Sequence, residues 1–146
     1  MSRRPTTAGT LVMAGDVVLF AAGARVEARS ADDGKLLWSS KTNTSFRGMP
    51  DVFVIGGLAW VGTLTTTGLD LLTGKVARQI DPGHLYTGGH HPRCYRGKAT
   101  EDYLLWSKRG VEFVDLQADG HTRHDWVRGT CRYGIIPANG LLYAPP

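Results

Sequence analysis

Cysteine is scarce in this chain of 146 residues, with only Cys94 and Cys131. Two thiols so far apart exclude a disulfide-framed mini-domain and a four-cysteine zinc ribbon. Long apolar runs are missing too: none reaches the roughly 18 residues that cross a bilayer as a helix. The amino-terminal MSRRPTTAGT has basic residues but no apolar stretch behind them, so no secretory leader is expected and the chain as written would stay in the cytoplasm. Nor does any window of about a dozen residues carry a helical apolar stripe that Gly or Pro leaves unbroken. Finally, there is no block of one charge. The net charge of +4 comes from 17 Lys and Arg scattered among 13 acidic residues, which disfavours a nucleic-acid partner.

What is present is glycine, 19 residues of it, between short stretches rich in Val, Leu, Trp, Tyr and Phe. That is the grammar of strands and tight turns. With 42% hydrophobic and 21% charged residues, the composition is that of a folded domain with a real core. Self-similarity then organises the chain. LVMAGDVVLFAAG (Leu11–Gly23) reads as strand, turn, strand, and VFVIGGLAWVGT (Val52–Thr63) repeats it around Gly56-Gly57. ATEDYLLWSKRG (Ala99–Gly110) supplies the second strand again, and YGIIPANGLLYAPP (Tyr133–Pro146) repeats the hairpin around Asn139-Gly140. Asn-Gly and Gly-Gly suit two-residue hairpins, which need positive φ. Each of the first three hairpins is followed by a third strand, a glycine turn at Gly34, Gly74 or Gly120, and a fourth strand.

A four-stranded unit recurring roughly every 40 residues is the signature of a β-propeller blade. The expected fold is therefore all-β, a single propeller segment over residues 1–146 with blades near 10–40, 51–80 and 98–127 and a half blade at 133–146. Three and a half blades cannot close a ring, so unpaired edges must be covered. The chain is expected either to be part of a larger propeller or to associate with a copy of itself.

The repeats resemble those of the pyrroloquinoline-quinone-type (PQQ-like) propellers, whose pattern is Ala-x-Asp-x-x-Thr-Gly-x-x-x-Trp with the Trp docked on the next blade. Ala28, Gly34 and Trp38 match it in the first unit, with Ser30 and Asp33 in place of Asp and Thr. Asp70, Thr73 and Gly74 match in the second, where Arg78 replaces Trp, and the third keeps Asp115 and Gly120 with Trp126 two places late. The segments HHPRCYRG and TCRYG resemble the carboxy-terminal part of PQQ-like repeat proteins of planctomycete-type bacteria, which are usually sent out of the cytoplasm. Quinone-dependent dehydrogenases of the wider family hold the quinone over a Trp with a calcium or lanthanide ion and an Asp base, and many add an adjacent Cys-Cys disulfide. This chain has no Cys-Cys pair.

One stretch concentrates chemistry: GGHHPRCYRG, Gly88–Gly97, part of an interblade connection that starts after Ile80 and is several residues longer than the earlier KTNTSFRGMP. His90 or His91 with Cys94, and with Cys131, His84, His121 or His124 as distant partners, would suit zinc or copper. Against this, Pro92 restricts the turn, and the three-residue spacing of His121 and His124 puts them on opposite faces of a strand. Cys94 and Cys131 could instead pair as a disulfide between adjacent loops, or stay as free thiols. Arg93, Arg96, Lys98, Arg128 and Arg132 surround the same loops. With His90, His91, Tyr95 and Tyr133 they could bind a protein, an anionic small molecule or a saccharide, or they could simply satisfy loop carbonyls.

Trp38, Trp60, Trp106 and Trp126 fall at repeat-related strand positions and are expected to pack between blades. No cofactor and no catalytic residue is expected. The resulting expectation is a non-catalytic binding or protein-interaction scaffold, with a fragment of a quinone- or metal-dependent oxidoreductase as the alternative.

Overall fold

The computed structural model describes residues 9–43, 50–63, 65–81, 95–118 and 120–145. The chain folds into two compact units, one holding β1–β8 and the other β9–β14.

The first unit contains two four-stranded antiparallel sheets in simple up-and-down order. One is built from β1 (Thr10–Ala14), β2 (Val17–Ala22), β3 (Arg25–Ser30) and β4 (Leu36–Lys41), the other from β5 (Val52–Ile55), β6 (Leu58–Val61), β7 (Thr66–Asp70) and β8 (Val76–Ile80). Alternation decides which side chains go inside, because successive residues of a strand face opposite ways. Val17, Leu19 and Ala21 of β2 and Val26 and Ala28 of β3 are buried, and they meet Val52, Ala59, Val61 and Leu69 of the second sheet in one core. Burying each Val or Leu there contributes about 1.5–3 kcal/mol. The hairpin turns are set by backbone conformation: Gly56 and Gly57 have φ of 59° and 75°, the left-handed pair that a two-residue turn demands.

The repeat motif is a turn-forming device. Asp70 Oδ1 accepts hydrogen bonds from the backbone N–H of Thr73 (2.8 Å), the Thr73 hydroxyl (2.7 Å) and the Leu72 N–H (3.2 Å), while Gly74 N–H donates to the Asp70 carbonyl at 2.9 Å. In the first sheet Ser30 takes the aspartate's place, its hydroxyl accepting from Asp32 N–H. The Trp of the motif seats on the neighbouring turn. Trp38 Nε1 donates to the Leu71 carbonyl at 2.9 Å, and its ring lies so close to Gly74 that a Cβ there would sit 2.5 Å from it.

The Thr73 hydroxyl, then the Thr73 amide, hold the Asp70 carboxyl below its ordinary value of 3.8. A depressed folded value means that this turn's contribution is fully present above about pH 4 and is lost as pH falls through the lower folded value. The uncharged Asp70→Asn variant lacks that dependence. The gap in Tm between the two proteins should therefore narrow from neutral pH to about pH 2; a gap constant with pH would overturn this assignment.

The second unit holds one four-stranded sheet, of β9 (Lys98–Ala99), β10 (Tyr103–Trp106), β11 (Val111–Asp115) and β12 (His121–His124), and the hairpin of β13 (Ile136–Ala138) and β14 (Leu141–Tyr143). Asn139 and Gly140 turn the hairpin with φ of 52° and 72°. Tyr95, Leu105, Val111 and Ile135 form its core, with Phe113, Val127 and Leu142 packed against them.

Candidate functional site

Much of the loop that draws attention in the sequence lies outside the described residues: His84, His90, His91, Arg93 and Cys94 are among these. Its described end is Tyr95, which is 2% exposed. The Tyr95 hydroxyl donates to the Gly110 carbonyl at 3.2 Å, and its carbonyl accepts from the Ser107 hydroxyl. The ring is thus a core element and not the ligand contact expected of it, because both its surface and its hydroxyl are used within the fold.

Tyr95 positions the second cysteine-containing segment. Gly134, at φ 76°, lies against the ring so closely that a Cβ would come within 2.7 Å of it. The N–H groups of Tyr133 and Gly134 both donate to the Thr130 carbonyl, closing a tight loop. Cys131, Arg132 and Tyr133 are exposed on it, and Arg128 is half-buried at its start. Arg132 has φ 79°, a conformation uncommon for a residue with a Cβ. Arg96 is exposed and Lys98 half-buried on β9. The structure therefore brings Tyr95 and the Arg128–Tyr133 loop together.

A second feature was not expected. Across the third sheet run four rings, each edge-on to the next: Tyr103 to Phe113 at 5.9 Å, Phe113 to His124 at 5.2 Å, and His124 to Trp126 at 5.9 Å. Strand register explains the row, since Tyr103 pairs with Asp115, Leu105 with Phe113, and Val111 with His124, which puts Tyr103, Phe113 and His124 on one face. Arg123 and Arg109 both reach Asp125, at 3.1 and 3.6 Å, and hold the turn that carries Trp126.

Trp126 is 82% exposed, so the expectation of a buried packing residue fails there. The turn after Asp115 reaches its glycine at Gly120, one residue later than Asp70 reaches Gly74, Trp126 stands six residues past that glycine where Trp38 stands four past Gly34, and β12 ends at His124. Trp126 consequently falls in the following turn. Trp38, Trp60 and Trp106 are buried.

The row borders a groove of about 470 Å³ lined on one wall by Tyr103, Leu105 and Phe113 and on the other by the β13–β14 hairpin, including Leu142. A second groove, past Asp115 and Thr122, meets it at the Tyr103–Phe113 pair. Such a surface offers apolar faces with a polar rim, suited to a peptide or another flat ligand. In the sequence the clue was bulk: Phe113 stands where the earlier repeats have Ala28 and Gly68. Among the described residues no three His, Cys, Asp or Glu side chains converge as ligands for an ion.

No family model and no curated protein matches the chain. Among solved structures it is similar to BamB from Moraxella catarrhalis, with a TM-score of 0.56 over 89% of this chain at 18% identity. The chain spans 43% of that structure's length. BamB is a β-propeller, and the likeness together with the four-stranded antiparallel sheets shows the fold: an all-β propeller segment of about three and a half blades.

Proposed function

We propose that this chain is a non-catalytic binding scaffold, a propeller segment of the PQQ-like type whose contact surface is the aromatic row of the third blade. The observation that carries this reading is the grouping of those four rings, each edge-on to the next, on one face of the third sheet. In the first blade the corresponding face, Val17, Ala28 and Trp38, is buried in the core shared with the second blade. In the third blade its counterparts include Tyr103, 38% exposed, and the row ends in the exposed Trp126. Apolar rings grouped on one face, rimmed by Arg and Asp, are what an interaction surface requires. The PQQ-like assignment is supported by the Asp70-Thr73-Gly74 turn and by the seat of Trp38 upon it.

The alternative, a quinone- or metal-dependent oxidoreductase, needs a bound cofactor. The test is native mass spectrometry after incubation with pyrroloquinoline quinone and calcium, run beside a dye-linked alcohol oxidation assay. The scaffold reading expects the mass of the polypeptide alone and no dye reduction. Retained quinone with dye reduction would overturn it.

A further inference from the structure

We infer that the end of the second unit where β10 turns into β11 and β12 runs on to β13 binds an acidic saccharide, its uronate carboxylate held by arginines and its sugar face laid on an exposed ring. This rests on the scaffold reading, starts from Trp126 at the end of the aromatic row, and names the class of ligand. Both connections run between described strands, so the surface is built by turns internal to the fold.

The sequence spaces Lys108, Arg109, Arg123, Arg128 and Arg132 widely, and strand register gathers them. Val111, the first residue of β11, pairs with His124, the last of β12, so the Lys108–Gly110 turn and the chain leaving β12 share one end of the sheet. Gly110 lies against that chain, where a Cβ would come within 2.8 Å of the Asp125 Cα. The Gly110 carbonyl accepts from the Tyr95 hydroxyl, and the Tyr95 ring lies on Gly134, which brings in the Arg128–Tyr133 loop. Val127 packs against the core, with Trp126 and Arg128 on either side of it in the chain. Gly129 abuts the Gly134 backbone so closely that neither has room for a Cβ. The loop thus has a glycine neck, and its tip presents Arg132 in the left-handed conformation, φ 79°, beside Tyr133, 78% exposed.

Charge and shape fix the ligand's chemistry. The carboxylates beside these cations are Glu112 and Asp125. Glu112 is buried and uses both oxygens on the Lys108–Gly110 amides, while Asp125 lies between Arg123 and Arg109. The local balance is therefore positive and rich in guanidinium, a planar fork that takes a carboxylate through two parallel hydrogen bonds. Trp126 and Tyr133 add flat apolar faces with polar tips, on which the C–H face of a pyranose can stack. Asp125 decides among the anions. A carboxylate set among the arginines repels a phosphodiester backbone or a run of acidic residues, but it accepts hydrogen bonds from sugar hydroxyls. A uronic acid carries all three groups that this end can receive: a carboxylate for guanidinium, hydroxyls for Asp125 and a C–H face for the ring.

The test is fluorescence anisotropy with a labelled oligogalacturonide, its uncharged methyl ester, labelled oligothymidylate and labelled polyglutamate. Saturable binding is expected for the oligogalacturonide, with at least about a tenfold loss for the ester, near 1.4 kcal/mol. Arg132→Gln should weaken binding about tenfold, whereas Lys41→Gln, the same change of charge on β4, should leave it unaltered. Trp126→Ala, at an exposed site where folding is not at stake, should weaken binding several-fold. Absence of saturable binding, equal binding of the ester, oligothymidylate or polyglutamate bound as tightly as the oligogalacturonide, or indifference to Arg132→Gln or Trp126→Ala would overturn the inference. If these arms fail while the quinone assay stays negative, the scaffold reading survives without this ligand; retained quinone with dye reduction would remove the scaffold reading whatever the saccharides do.

Discussion

Replacing Trp38 by alanine is expected to lower the unfolding free energy by about 3–5 kcal/mol, while the same change at Trp126 costs less than about 0.5 kcal/mol. The two residues look alike in the sequence, each a Trp following a repeat glycine. They differ in what surrounds them. Trp38 is 8% exposed, and it is both a member of the first unit's core and a hydrogen-bond donor to the Leu71 carbonyl. Its removal forfeits apolar burial, leaves a cavity over Gly74 and strips a carbonyl of its donor. Trp126 makes one described ring contact, edge-on to His124, and is otherwise in solvent. Urea unfolding of both variants decides the matter. Because a loss of this size is a large share of a domain's usual 5–15 kcal/mol, Trp38→Phe is the milder companion: it keeps most of the packing and drops the indole N–H, for an expected loss of about 1–2 kcal/mol. A near-neutral Trp38→Ala, or a Trp126→Ala as costly as it, would overturn the contrast.

That contrast also shows where sequence reasoning stops. Turns whose conformation is dictated locally were legible: Gly56-Gly57 and Asn139-Gly140 have the positive φ that two-residue hairpins require. So was the Asp70-Thr73-Gly74 turn, whose hydrogen bonds span at most four residues. The order of strands within each sheet followed from those turns and from alternation. Two things were not legible. The placement of Trp126 depends on three extra residues between Asp115 and the Trp, one in the turn and two after Gly120, whose effect on burial follows only from β12 ending at His124. The burial of Tyr95 depends on Gly134, which is distant in sequence and carries no mark of its role; an aromatic beside arginines in a polar loop reads equally well as a ligand contact. The aromatic row is a middle case. Each ring could be placed on its strand, but its exposure depends on how far the hairpin of β13 and β14 covers the face of the third blade.

Glu112 carries the second large effect. A carboxylate between Val111 and Phe113 on a strand would ordinarily face water, yet it is 0% exposed. It faces away from the aromatic row and turns back onto the connection between β10 and β11. Oε2 accepts from Lys108 N–H at 2.7 Å, and Oε1 from Arg109 N–H at 2.9 Å and Gly110 N–H at 3.3 Å. One side chain thus satisfies three consecutive backbone donors that the tight turn withholds from the sheet ladder. Hydrogen bonds to a charged acceptor are worth more than neutral ones, and stranded buried donors cost about 1–3 kcal/mol each. Water can reach the Arg109 amide once the carboxylate is gone, since that residue is exposed, so the three costs do not add in full. Glu112→Ala should lower the unfolding free energy by about 3 kcal/mol. Glu112→Gln retains one acceptor oxygen but turns an amide NH₂ toward N–H donors, and should lose about 1–2 kcal/mol. The effect reaches the Arg128–Tyr133 loop through Gly110, whose carbonyl holds the Tyr95 hydroxyl, and Tyr95 in turn supports that loop at Gly134. Hydrogen exchange of Glu112→Gln should therefore show faster exchange at Tyr133 and Gly134 as well as at Lys108–Gly110. Exchange confined to the turn would break this chain of support, and an unfolding free energy of Glu112→Ala within about 0.5 kcal/mol of the parent would remove its premise.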